Sequence, residues 1–120
     1  MTRDNTGMTL TIAFNYGGRV EIVDAVKQIV RDHDAGKLRT EKISMSSIHD
    51  RLYFPDMPDP DLLIRTSGEY RISNYLLWES AYSEFVFTDV LWPDFRREHL
   101  FDAIREYQRR ERRFGAVDRR

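Results

Sequence analysis

The hydrophobic period of the chain changes at one point, and that change limits the fold more than any other feature. Residues 9–14, Thr9-Leu10-Thr11-Ile12-Ala13-Phe14, read with the two-residue period of a strand, with Leu10, Ile12 and Phe14 on one face. Asn15-Tyr16-Gly17-Gly18 then reads as a tight turn. From Arg19 onward Ile22, Val23, Val26, Ile29 and Val30 fall at helical spacing, and Gly36 is placed to end that helix. A strand, a Gly-Gly turn and an amphipathic helix make the front of a βαβ unit, which points to a layered α/β fold.

The rest of the chain continues the alternation. Ser44 is placed to cap a short helix carrying Met45, Ile48 and Leu52, closed by Pro55 and Pro58. Asp59-Pro60-Asp61 turns into Leu62-Leu63-Ile64, a short apolar run that suits a parallel strand buried on both faces. A polar loop from Arg65 to Arg71 follows, and Ser73 or Asn74 is placed to cap a helix through Trp78. Phe85-Val86-Phe87 reads as a third strand. Trp92-Pro93-Asp94 leads into a terminal helix predicted over 95–112, with Leu100, Ala103, Ile104 and Tyr107 inside. The pattern is βα(α)βαβα, a mostly parallel sheet flanked by helices. Three strands are few for such a sheet, so the architecture looks like half of something.

Composition excludes several classes. At 120 residues with 41% hydrophobic and 12% aromatic side chains, the chain is a single modest domain, 1–120, able to build a core. It has no cysteine, which excludes a disulfide scaffold, cysteine-ligated zinc and a thiol nucleophile. Nineteen Lys+Arg against 20 Asp+Glu give a net charge of −1, which marks no nucleic-acid partner. The charge is uneven: residues 96–120 hold nine arginines against five acids, a basic terminal helix and tail on an acidic body. No apolar run approaches the ~20 residues of a membrane span, and no signal-peptide layout opens the chain, so the expectation is a cytoplasmic protein.

Three clusters are candidates for chemistry. Arg65-Thr66-Ser67-Gly68-Glu69-Tyr70-Arg71-Ile72-Ser73 lies between a strand and a predicted helix, where ligands of open α/β sheets bind. Two arginines, three hydroxyls and a helix start suit a phosphate or diphosphate, while a solvated loop whose arginines pair with Glu69 is the alternative. Glu79, Glu84, Asp89 and Asp94 surround the third strand, and such carboxylates suit Mg²⁺ or serve as ordinary turn and cap acids. The Arg109-to-Arg113 run has the composition of a nucleic-acid patch, but it is short and interrupted and better suits a solvated helix end whose cations complement the helix dipole. His33, His49 and His99 stand apart, without ligand-like spacing.

Read together, the stretches IAFNYGGR (12–19), DPDLLIRTSGEYRISNYLLW (59–78), AYSEFVFTDVLWPDF (81–95) and RERRFG (110–115) resemble the C-terminal half of the cis-prenyltransferases, the undecaprenyl diphosphate synthase family. The resemblance implies an α/β fold with a hydrophobic tunnel, usually dimeric, and Mg²⁺-dependent condensation of isopentenyl diphosphate with an allylic diphosphate to give a lipid product. It further implies that Arg65, Arg71, Ile72 and Ser73 hold the isopentenyl diphosphate and that Glu84 is the metal-associated acid. By the same resemblance Asp94 is a supporting acid, and Arg113-Phe114-Gly115 is the tail that reaches toward a neighbouring subunit's site. Tyr70 stands where the family often has Gln.

The departure is at the front. The family's Asp-Gly-Asn motif, which supplies the catalytic aspartate and the grip on the allylic diphosphate, is not in this sequence. The expectation is therefore a prenyltransferase present as its C-terminal half and incomplete alone. Its partner is then a second copy or a subunit supplying the N-terminal half. A non-catalytic accessory subunit beside a full-length relative, or a truncated inactive fragment, are the alternatives.

Overall fold

The structure is a computed structural model and describes residues 2–111. Helix α1 spans Gly18–Asp34, α2 spans Met45–His49 and α3 spans Arg97–Gln108, with strands β1 at Leu62–Arg65 and β2 at Glu84–Phe87. Single 3₁₀ turns lie at Thr40–Lys42, Glu79–Tyr82 and Trp92–Asp94. The strands pair in parallel, Leu62 opposite Glu84 and Arg65 opposite Phe87. Helix α1 packs on α2, and α3 packs on β2. A parallel sheet with helices packed beside it agrees with the α/β class read from the sequence, although not every element of the expected order is present.

Local chemistry accounts for most element boundaries. Gly17 takes an extended conformation (φ −154°) before α1, and Gly36, at φ +68°, turns the chain away after it. Ser44 caps α2 in a reciprocal arrangement with Ser47, whose Oγ accepts from the Ser44 amide at 3.1 Å. Asp32 near the end of α1 accepts two bonds from the Arg51 guanidinium, at 3.0 and 2.6 Å, which ties α1 to the turn after α2. That pairing holds the Asp32 carboxyl below its ordinary value.

Three expectations need correction. Residues 9–14 form no strand: Leu10, Ile12 and Phe14 are 78%, 79% and 94% exposed. A strand exists only through its ladder, and among the described residues the sheet is the β1–β2 pair alone. The helix expected from Ser73 is a series of turns, because Ser73, Asn74 and Leu76 have positive φ, outside the right-handed helix. The inner face of α1 is Gly18, Glu21, Ala25 and Ile29, while Val23, Val26 and Val30 remain about half exposed. Strand β1 is accordingly only half-buried.

The core is small. Its fully buried apolar side chains are Ala25, Ile29, Leu52, Val86 and Ala103. The radius of gyration is 17.9 Å, where a compact chain of this length has about 13–14 Å. The accessible surface is 10189 Å², where a compact monomer of this mass has about 6,800 Å².

Beneath α1 lies a buried acid pair. Glu21 is 1% exposed; its Oε1 accepts from the Tyr53 amide at 2.9 Å, and its Oε2 accepts from the Tyr16 hydroxyl. Glu79 lies beside it, with Oε2 buried and without a partner. Burial first, then the Glu21 and Asp59 charges, push the Glu79 carboxyl above its ordinary 4.5. The folded chain thus holds this proton more tightly than the unfolded chain does. The stability it contributes is complete below pH 4.5 and is lost as pH rises through the raised value. Glu79→Gln, neutral at every pH, should therefore raise the melting temperature at pH 8 by roughly 2–5 °C and leave it nearly unchanged at pH 4. Thermal melts followed by circular dichroism check this; an equal shift at both pH values counts against it.

Candidate functional site

The site is built at the carboxyl end of β1. Arg65 is the last residue of the strand, and its carbonyl accepts from the Thr88 amide at 2.9 Å, extending the ladder one step past β2. The loop then folds back on the same neighbour. The Ser67 amide donates to the Val90 carbonyl at 2.9 Å, and the Gly68 amide donates to the Thr88 carbonyl at 3.0 Å. Ser67 (φ +69°) and Gly68 (φ +63°) are both left-handed. A Cβ on Gly68 would also come within 3.1 Å of the Asp89 carboxylate, so glycine suits the position twice over.

The loop and β1 line a cavity of about 630 Å³. Arg65, Ser67, Arg71, Ile72 and Trp92 are among its walls, so three of the four residues expected to hold a diphosphate share one space. Arg65 lines this space, and its Nε–H is buried with no hydrogen-bond partner. Arg71 is largely exposed and pairs with Glu69. Ser73 is exposed and left-handed (φ +49°), outside the cavity lining. Two guanidinium groups with hydroxyls can take up the charge of a bidentate oxyanion such as phosphate or diphosphate.

The remaining expected residues lie elsewhere. Glu84 opens β2 opposite Leu62, at the amino end of the sheet, three residues before the Phe87 level of Arg65. That offset is about 10 Å along a strand. Its Oε2 accepts from Arg110 Nη1 at 2.8 Å, and the same Nη1 donates to the Phe85 carbonyl at 2.8 Å. Arg110 also pairs with Glu106, so this network fastens the end of α3 to β2. Asp94 is exposed in the Trp92–Asp94 turn, and Arg113 and Gly115 lie outside the described residues. Among the described residues no group of three or more carboxylates or imidazoles is arranged to hold a metal. Glu84, alone and already paired, does not make a Mg²⁺ site. Among the histidines, His49 meets the Pro55 carbonyl at 3.2 Å, and His99 Nδ1 accepts from the Arg96 amide at 2.9 Å in the first turn of α3.

Two residues at the site escaped the sequence pattern. Trp92 was read only as part of a turn, yet its ring is 72% exposed beside the arginines. Asn74 was read as a cap for a helix of its own. It bonds instead to the start of α1, 55 residues away in sequence.

Comparison with known proteins gives one answer throughout. Residues 1–115 match the prenyltransferase family described as undecaprenyl diphosphate synthase. An isoprenyl transferase of Bacillus cereus is 55% identical over 116 residues, 97% of this chain and 45% of that protein. Isoprenyl transferase 2 of Corynebacterium efficiens is 56% identical over 117 residues, 98% of this chain and 48% of its own. The crystal structure of lavandulyl diphosphate synthase from Lavandula x intermedia, in complex with dimethylallyl diphosphate, matches with a TM-score of 0.78 and 42% identity. That match covers 84% of this chain and 44% of that one. The chain thus spans a little under half the length of the relatives it matches. No helix among the described residues is long and apolar enough to cross a membrane. By a match over nearly all of its sequence, the chain belongs to the undecaprenyl diphosphate synthase family of prenyltransferases.

Proposed function

We propose that residues 1–120 form one partial domain, the C-terminal half of a cis-prenyltransferase, and carry its isopentenyl diphosphate side. The observation that carries this is the meeting of Arg65 and Arg71 in the wall of one cavity at the carboxyl end of a parallel strand. Arg65 and Arg71 bind the diphosphate charge. Ile72 supplies an apolar contact, and Ser73 adds a hydroxyl once the loop closes on its ligand. The cofactor of the reaction is Mg²⁺, and Glu84 is a donor toward it, joined by donors beyond the described residues. Asp94 and the Arg113-to-Gly115 tail support the site.

The chain works as part of a larger assembly in the cytoplasm, beside a second copy or beside a subunit that supplies the N-terminal half. Support comes from the surface it leaves uncovered, about 3,400 Å² more than a compact monomer of its mass. That excess is of the order of an obligate interface. The allylic diphosphate and the catalytic aspartate belong to the missing half. The accessory-subunit reading asks for lost substrate ligands and a retained tail, and this sequence keeps both.

Holding the acceptor is only part of catalysis. Prenyl transfer joins two substrates, and the rate gain from placing them in line requires both to be held. The isolated chain, assayed for incorporation of labelled isopentenyl diphosphate onto farnesyl diphosphate with Mg²⁺, should show no turnover; turnover near that of a complete relative would refute the half-enzyme reading. Calorimetry on the isolated chain should likewise show no stoichiometric Mg²⁺ binding, and tight binding would reveal donors other than Glu84. In an enzyme reconstituted with an N-terminal half, Arg71→Ala removes a charge-assisted bond of ~1.5–3 kcal/mol and should raise the KM for isopentenyl diphosphate about tenfold or more. An unchanged KM with normal turnover would remove Arg71 from the site.

A further inference from the structure

The start of α1 has no cap of its own, since no side chain adjacent in sequence bonds to it. Asn74 supplies one from the far side of the site loop. The Gly18 amide donates to the Asn74 carbonyl at 2.8 Å, and the Arg19 amide donates to Asn74 Oδ1 at 2.9 Å. Both are among the first amides of a helix, which lack intrahelical partners. The fit is close on both sides. A Cβ on Gly17 would come within 2.9 Å of Asn74 Nδ2, and one on Gly18 within 2.9 Å of Leu77 Cγ and 3.0 Å of the Leu77 amide nitrogen. Asn74 is itself left-handed (φ +64°), a region Asn enters more readily than most residues.

We propose that Asn74 is a positioning residue for diphosphate binding. It clamps the loop that carries Arg71, Ile72 and Ser73 onto the amino end of α1, with Gly17-Gly18 as the seat. This inference rests on the reading of that loop as the diphosphate site. The contact is two residues downstream of Ile72 and three downstream of Arg71, so it fixes where the backbone of both stands against β1. Without it, the run of left-handed residues from Ser73 to Leu76 loses the bonds that offset its strain. Asn meets three requirements together: a backbone acceptor for Gly18, a side-chain acceptor for Arg19, and tolerance of positive φ.

The test uses the whole ¹⁵N-labelled 120-residue chain with inorganic pyrophosphate as probe, followed through tryptophan emission, since Trp92 lines the cavity. Arg71→Ala defines site-dependent binding. Asn74→Gly keeps the backbone acceptor and the positive φ and removes the side chain with its Oδ1. It should weaken pyrophosphate about tenfold at a temperature where the variant is folded by circular dichroism. The contact and the ligand are linked, so pyrophosphate should also slow hydrogen exchange at the Gly18 and Arg19 amides of the unaltered chain, a measurement independent of any variant's folding. If binding depends on Arg71 but Asn74→Gly binds within twofold of the unaltered chain, or exchange at the two amides does not slow, the role of Asn74 is overturned while the diphosphate site stands. If the unaltered chain shows no Arg71-dependent binding, the diphosphate reading itself fails, and the role of Asn74 fails with it.

Discussion

The pairing of β1 with β2 fixes the rest of the described structure. Four residues on each strand, in parallel register from Leu62–Glu84 to Arg65–Phe87, define the end at which the site loop leaves. The same ladder continues into Thr88 and Val90, whose carbonyls hold Gly68 and Ser67. A parallel ladder of two short strands is marginal by itself, because such sheets are normally covered on both faces. Here α3 covers β2, while the other edge of β1 meets residues of the 9–14 segment and Pro60 across a cavity of about 510 Å³. The sheet is therefore open on the side where the strand-patterned segment has no partner.

Electrostatics divide the molecule into a cationic end and an acidic interior. Arg65 and Arg71 share the cavity at the carboxyl end of β1, and Arg71 is partly neutralised by Glu69. Under α1, Glu21, Glu79, Tyr16 and Tyr53 form a hydrogen-bonding group with Asp59 near, while the nearest cation pairing, Lys27 with Asp24, lies on the exposed side of the helix. Glu21 is the better satisfied of the two by protein donors, and Glu79 is the one left with an unsatisfied oxygen. Burial first, then the Glu21 charge, hold the Glu79 carboxyl above its ordinary value.

Elements encoded by neighbouring residues were legible in the sequence, and those encoded by distant contacts were not. The helical spacing from Ile22 to Val30 and the apolar runs at 62–64 and 85–87 gave α1, β1 and β2 directly. The alternation at 9–14 carries a strand's pattern, but a pattern creates no ladder without a second chain segment. The inner stripe of α1 was misjudged for a related reason. The valines looked like the core because they are apolar, yet the contact with α2 selects the Glu21-Ala25-Ile29 row. A glutamate on a buried row carries no local signal; only its partners at Tyr16 and Tyr53 make the position tolerable. At the site, Arg65, Arg71 and Ile72 were legible because they are close in sequence and the strand end collects them. Glu84, which the resemblance marks separately as a metal-associated acid, lies at the opposite end of the sheet in the strand register.

The loop from Ser67 to Leu76 is held in a conformation that its own sequence disfavours. Ser67, Ser73, Asn74 and Leu76 all hold positive φ, each at a cost of order 1–3 kcal/mol for a residue with a side chain. Such a loop persists only where its surroundings over-determine it, and here the bonds that do so come from the segment after β2 and from the start of α1. A metal centre and an apolar tunnel differ in kind, because a metal needs several donors converging on one point and a tunnel needs walls on every side. Among the described residues, a carboxylate already bound to Arg110 and a two-stranded sheet with one open edge meet neither requirement by themselves.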